Sequence, residues 1–233
     1  MSNPHEFTSV LADAARTINK PQSMEETLDA IAQTAKRSIP GFDDVGISLV
    51  HRDGTIETKA ATGDLVWELD SIQYQLGDGP CVSSLREEPV IVVDHLQHAQ
   101  RWPQYVPQAA QRGLKAQMAL RLYVDENGTI GGINLYSTSS EDIEPHAPQL
   151  AEVFAAQAAV ALGHAQEVRH LNDALVSRQQ IGVALGVLIE RYKIDENAAF
   201  SFLTRISSHS NTKLRDVAAG VVADAVSSSK QAE

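Results

Sequence analysis

Residues 149–192 read QLAEVFAAQAAVALGHAQEVRHLNDALVSRQQIGVALGVLIERY, with no proline anywhere in the run. Apolar side chains recur at three- and four-residue steps through Leu150, Val153, Phe154, Val160, Ala161, Val168, Leu171 and Leu175, the spacing of one helical face. The only glycines are Gly163, Gly182 and Gly186. One continuous helix is therefore predicted, longer than an average globular helix. A helix of that length joining two domains serves as a dimerising stalk. It divides the chain into a long front part and a rear part with room for two further helices.

Behind the stalk, one helix is predicted over 196–208, with Asp195 as N-cap and Ala198, Phe202, Leu203 and Ile206 inward. Another is predicted over 212–226, with Asn211 as N-cap and Leu214, Val217, Val221 and Val222 inward. Ser227 to Ser229 and the remaining residues to 233 read as a disordered tail. In front, Phe7, Val10, Leu11, Ala14 and Ile18 mark a helix over 7–19, stopped by Pro21. Ser23 and Glu26 form a capping box for a helix over 24–38, whose stripe is Leu28, Ile31, Ala32 and Ala35.

The pattern then turns to strands. Val45, Ile47 and Leu49 alternate with smaller or polar residues, Asp53-Gly54 is a hairpin signal, and 55–61 is the return strand. A short buried strand is predicted over 89–94, and a second hairpin joins 117–124 to 129–137 around Asn127-Gly128. Residues 62–88 read as a long irregular segment, of the kind that is usually functional inside a compact domain. The fold class is α+β: a front domain over 7–165 with about five mostly antiparallel strands flanked by helices, then a three-helix rear domain over 166–226.

Composition narrows the function. Hydrophobic residues make up 43% of the 233, enough to bury a core. The N-terminus has no basic-then-apolar leader pattern, and no apolar run is long enough to span a bilayer, so a cytoplasmic protein with no membrane partner is expected. Cys81 is the single cysteine, which excludes an internal disulfide, a multi-cysteine zinc site and a redox cycle with a resolving thiol in the same chain. The net charge is −11, unevenly spread: residues 1–165 hold 11 Lys/Arg against 22 Asp/Glu, and 166–233 hold 8 against 8. Only the rear part is a plausible neighbour for phosphates.

Several strings resemble known families. Gly46-Ile47-Ser48-Leu49-Val50, Ala60-Ala61-Thr62, Glu68-Leu69-Asp70, Gln73-Tyr74, Leu76-Gly77-Asp78-Gly79-Pro80-Cys81, Arg101-Trp102-Pro103 and Asn134-Leu135-Tyr136-Ser137 make residues 7–165 similar to a GAF domain. Ala174-Leu175-Val176-Ser177-Arg178, Ile181 to Leu188, Ala199-Phe200-Ser201-Phe202-Leu203 and Lys213 to Ala218 make residues 166–226 look like an ANTAR domain, the RNA-binding module of transcription antitermination regulators. The resemblance implies a homodimer whose rear domains bind paired stem-loops in nascent RNA, with an unknown small molecule in the front domain setting their state. It also implies a lysine where this chain has Leu185. That difference leaves an alternative: a sensor or protein-interaction module of the same architecture that does not bind RNA.

The candidate RNA-binding residues are Arg178, Arg191, Arg205, Lys213 and Arg215 for phosphates, and Tyr192 for stacking on a base. Lys193 is a further surface cation. Ala184 and Gly186 are read two ways, as a close approach for the RNA backbone or as tight helix packing. The candidate ligand residues are Asp70, Gln73, Tyr74 and Cys81, with Gly77 and Gly79 as a pocket lip or as a plain structural turn. As the only cysteine, beside Pro80, Cys81 reads first as a small buried hydrophobe. Trp102 is expected to pack on the domain surface. His95 and His98 near Asp94 fall short of a converging metal-ligand set. No phosphate-binding glycine loop with its Lys-Ser/Thr ending and no Ser-His-Asp or Cys-His arrangement is found, so no catalytic residue, cofactor or enzymatic activity is expected. The Asn-Lys-x-Phe-type signature of cyclic-nucleotide GAF domains is also absent.

Overall fold

The computed structural model describes residues 12–20, 23–51, 53–125 and 128–230. The chain divides between Gln166 and Glu167 into two compact units.

The front unit is a five-stranded antiparallel sheet in the order β2-β1-β5-β4-β3. Its strands are β1 (Asp44–Val50), β2 (Ile56–Ala61), β3 (Val90–Val93), β4 (Ala116–Asp125) and β5 (Gly128–Ser137). Register follows from alternation: Ile47 pairs with Ile133 and Met118 with Leu135, keeping one face apolar. That face carries a helix seen over 12–18 (α1), α2 (Met24–Ser38) and the first part of α6 (Ala147–Tyr192). Their shared core includes Ile18, Ile31, Ile47, Leu120, Leu135 and Phe154. The part of the first predicted helix before residue 12, and Asn127 of the second hairpin, lie outside the described residues.

The capping box at α2 is present in both directions. Glu26 N–H donates to Ser23 Oγ at 3.2 Å, and Ser23 N–H donates to Glu26 Oε2 at 2.8 Å.

Where an irregular segment was expected over 62–88, the chain forms two helices, α3 (Asp64–Leu76) and α4 (Pro80–Arg86). The buried positions of α3 are Val66, Leu69, Asp70 and Gln73. These have helical spacing, but two of the four are polar, so a count of apolar residues misses the stripe. With α5 (Tyr105–Gln111), α3 and α4 cover the second face of the sheet.

The rear unit consists of the end of α6, α7 (Glu196–Ser210) and α8 (Leu214–Lys230). Its buried core is Ala184, Leu188, Ala199, Leu203 and Ala218. Three details differ from the sequence reading. Ala199, not Ala198, faces inward. Asn211 is the C-cap of α7 at φ 50°, a left-handed position that asparagine tolerates, rather than an N-cap of α8. The tail expected to be disordered from 227 is helical as far as Lys230; 231–233 lie outside the described residues.

Candidate functional site

The second face of the sheet is polar where it meets α3 and α4. Alternation that points Ile47, Ile133 and Leu135 to one side points Ser48, Asn134 and Tyr136 to the other. Thr58, Gln117, Asp70, Gln73 and Cys81 complete a layer with almost no contact with solvent.

Asp70 is its hub. Thr58 Oγ1 donates to Asp70 Oδ2 at 2.6 Å, and Asn134 Nδ2 (3.1 Å) and the Tyr136 hydroxyl donate to Asp70 Oδ1. The Tyr74 hydroxyl shares hydrogen bonds with Ser48 Oγ at 2.6 Å and Thr58 Oγ1 at 2.9 Å. No Lys or Arg in the described residues pairs with Asp70. Burial without a counter-charge pushes its carboxyl up from 3.8 to about 6, even against these donors. Burial also pushes the Cys81 thiol up to about 12 and raises the Tyr74 hydroxyl.

Two buried groups of this layer have no partner among the described residues, the acceptor Asn134 Oδ1 and the donor Gln117 Nε2. Gln117 lies opposite Tyr136 and Asn134 opposite Ala119, so the two stand diagonally on one face of the β4–β5 pair. An unmet acceptor and an unmet donor on that face mark where the layer is not satisfied by its own side chains.

The structure thus brings together Asp70, Gln73, Tyr74 and Cys81. Gln73 Oε1 accepts from Cys81 N–H at 2.8 Å and its Nε2 donates to Tyr136 at 3.3 Å, tying α4 to α3 and the sheet. Gly77 and Gly79 form the turn. Gly77, at φ 62°, caps α3 by donating to the carbonyls of Gln73 and Tyr74. Gly79 is at φ 126°, and a Cβ there would meet Gln73 at 2.6 Å. Trp102 lies in the core rather than on the surface, its Nε1 donating to Ser83 Oγ at 3.0 Å. Sequence reasoning missed Ser48, Thr58, Gln117 and the inward-facing side chains of Asn134 and Tyr136. The available signal was polar residues at every second position of strands whose other positions are apolar. His95 is engaged by Glu141 and Asp142, and the described residues contain no metal-binding cluster.

The rear candidates sort differently. Arg178, Arg191, Arg205 and Lys213 are exposed and have no ion pair among the described residues. Arg215 faces Asp216 at 3.5 Å, and Lys193 is paired with Glu190. Lys213 and Arg215 flank the start of α8, where the helix dipole already favours an anion. Arg178 and Arg191 lie on one helix, separated by roughly 20 Å of rise, so they would reach separate phosphates. Tyr192 is 56% exposed, with its ring 6.2 Å from that of Phe202. Ala184 is fully buried in the three-helix core, so its small size serves packing and it offers no surface to RNA. Gly186 is exposed with open space around it. Leu185 is half-buried against the same core.

Comparison with known proteins follows this division. Residues 21–163 match the GAF domain model and residues 169–222 the ANTAR domain model. None of the curated proteins compared with the chain matches it in sequence. Among solved structures, the chain is similar to the GAF domain of an Acinetobacter phosphoenolpyruvate-protein phosphotransferase, at 15% identity and TM-score 0.56, covering 73% of this chain and 99% of that one. It is similar to a free methionine-R-sulfoxide reductase from Neisseria meningitidis at 13% identity and TM-score 0.56, over 72% of this chain and 95% of that one. It is also similar to the phytochrome photosensory core module of Stigmatella aurantiaca at 11% identity and TM-score 0.61, over 89% of this chain and 46% of that one. At these identities the likeness speaks to the fold alone.

Proposed function

This chain belongs to the GAF domain family and carries an ANTAR domain behind it, and on that basis we propose that it is a signal-responsive RNA-binding antitermination regulator. An ANTAR domain is an RNA-binding antitermination module and a GAF domain a small-molecule sensor. The observation that carries the reading is a coincidence of boundaries. The ANTAR match falls within the part of the chain that is charge-neutral, compact in itself and supplied with unpaired surface cations.

In this reading Arg178, Arg191, Arg205, Lys213 and Arg215 contact phosphates of paired stem-loops in nascent RNA, and Tyr192 stacks on a loop base. The front domain holds a small molecule through the unmet groups of Asn134 and Gln117, above Asp70 and Tyr74. The protein acts as a homodimer through α6. Val153, Val160, Val168, Leu171 and Leu175 lie at helical spacing and are between 40% and 65% exposed, which suits a second copy of the same stripe. A partner that is a nascent transcript is met in the cytoplasm. No enzymatic step is assigned: the single thiol is buried with its pKa raised, which opposes sulfoxide-reductase chemistry.

A gel-shift titration of the full chain against RNA carrying two stem-loops tests the reading. Binding is expected, with log affinity falling linearly as log salt rises. A chain shown to be dimeric by light scattering that leaves this RNA unshifted at low salt would overturn it.

A further inference from the structure

Among the described residues the sheet of the front unit ends at β3, which has one neighbour there, β4. Arg121 N–H donates to the Pro89 carbonyl at 2.8 Å, and the register pairs Val90 with Leu120 and Val92 with Met118. In an antiparallel ladder hydrogen-bonded and non-bonded pairs alternate. Pro89 is bonded to β4, so the main-chain groups of Val90 and Val92 point away from it, to the free edge.

That edge is protected only at its ends: the strand is four residues long, with Pro89 and acidic residues flanking it and no charge or proline within Val90–Val93. Natural edges are blunted by internal charges, proline, bulges or a covering segment. Here the strand is Val90-Ile91-Val92-Val93, with Val92 44% exposed. A groove of ≈ 500 Å³ runs along it, between the strand and His98, Arg101 and Trp102. On the opposite side of the sheet a second hollow of ≈ 340 Å³, lined by Val90, Leu120, Ala155 and Ala159, adjoins the start of the same strand. A strand laid beside β3 would send alternate side chains to the two sides, toward these hollows.

The rim is acidic. Glu87 and Glu88 stand before the strand and Asp94 after it. Arg101 pairs with Glu87 and Glu88, each at 2.8 Å, so these three together keep one net negative charge beside that of Asp94. His95 is engaged by Glu141 and Asp142, and Arg121, lining the second hollow, bonds to the Ser84 carbonyl and the Tyr123 hydroxyl. A second copy of this edge would bring two acidic rims together, which disfavours self-pairing.

We propose that the free edge of β3 accepts an extended, lysine- or arginine-bearing segment of a partner protein as a sixth strand. The N–H and C=O of Val90 and Val92 supply the main-chain bonds, and Glu87, Glu88 and Asp94 select positive side chains.

The test uses the full chain and two fluorescein-labelled peptides, Thr-Lys-Val-Lys-Val-Lys-Thr and the same peptide with Glu for Lys, followed by anisotropy at low salt. The basic peptide is expected to bind, the acidic one to bind at least about tenfold more weakly, and the difference to shrink as salt screens the rim. Val92→Pro removes an N–H that the ladder does not use and is tolerated at an edge. It should lower basic-peptide affinity by roughly tenfold or more without changing the circular dichroism spectrum. Should Val92→Pro disturb the fold, Asp94→Lys, at an exposed position, carries the same test by weakening the basic peptide and strengthening the acidic one. Amide exchange at Val90 and Val92 should slow when the basic peptide is bound. The proposal is overturned by equal binding of the two peptides, by no binding of the basic one, by affinity indifferent to both variants, or by a chain whose self-association Val92→Pro abolishes.

Discussion

The two units handle polarity in opposite ways. The front unit buries it: Asp70, Gln73, Asn134 and Ser48 are fully inaccessible and joined in one network between sheet and helices, and Gln117 is buried beside Tyr105. The rear unit keeps its interior wholly apolar and carries its cations outside. A buried polar layer is costly unless satisfied, and it specifies a guest by what it leaves unmet. Exposed cations cost little to fold and bind any regular array of phosphates. In the function proposed above, the difference divides the labour: one unit discriminates a small partner and the other holds a long one.

The largest break in this comparison is expected in the rear core. Leu203 is fully buried in a cluster whose other buried members are Leu188 and the alanines 184, 199 and 218, closed over by partly buried residues such as Leu214 and Val217. Leu203→Ala should cost about 3 kcal/mol or more, and a core this small has little to spare. The rear unit is expected to unfold and RNA binding to be lost. Both tryptophans, Trp67 and Trp102, lie in the front unit, so fluorescence reports on that unit alone and should not change. A fluorescence midpoint that falls together with helix content would show that the two units fold as one and would break the comparison.

The next effect sharpens the front half. The Asp70 carboxyl sits at about 6 in the folded chain against an ordinary 3.8, so the native state holds this proton more tightly than the unfolded state. The contribution of Asp70 to stability is therefore greatest below about pH 4. It falls as pH rises to about 6, by about 3 kcal/mol in all, and is level beyond that. Asp70→Asn removes the titrating group and keeps its shape. Urea midpoints read by tryptophan fluorescence at pH 4.5 and 7.5 should separate in the parent and converge in the variant, after allowance for the other acids common to both. Equal pH dependence in the two proteins would refute the assignment of Asp70 as an uncompensated buried acid.

Most of the framework was legible in the sequence because it follows from periodicity. The capping box at Ser23 and Glu26, the alternation in β1 and β5, and the unbroken run of α6 are local signals that tertiary contacts did not override. What escaped was polarity turned inward. In α3 a buried face containing Asp70 and Gln73 lacks an apolar period, so a helix read as a loop. Asn211 failed for a related reason: asparagine suits both the start of a helix and the left-handed end of one, and only the path of the chain decides. The site itself was half visible. Asp70, Gln73, Tyr74 and Cys81 come from one continuous segment, whereas their partners Ser48, Thr58 and Asn134 come from three strands that only the folded sheet places side by side.

The smallest effect tests the rear surface. Lys213 is exposed, without an ion pair among the described residues, and its carbonyl accepts from Asp216 and Val217 N–H at the start of α8. The backbone at this position is structural while the side chain is free, so Lys213→Ala should leave the thermal midpoint of the rear unit unchanged. If the ammonium meets a phosphate, the slope of log affinity against log salt for the two-stem-loop RNA should fall by about 0.7–0.9, with a few-fold weaker binding at low salt. Glu196→Ala, at the exposed start of α7, serves as the matched control. Removing an anion should not reduce the slope. Were Lys213→Ala to lower affinity with an unchanged slope, Lys213 would be acting through the shape of the α7–α8 turn, and the start of α8 would have to be removed from the RNA face.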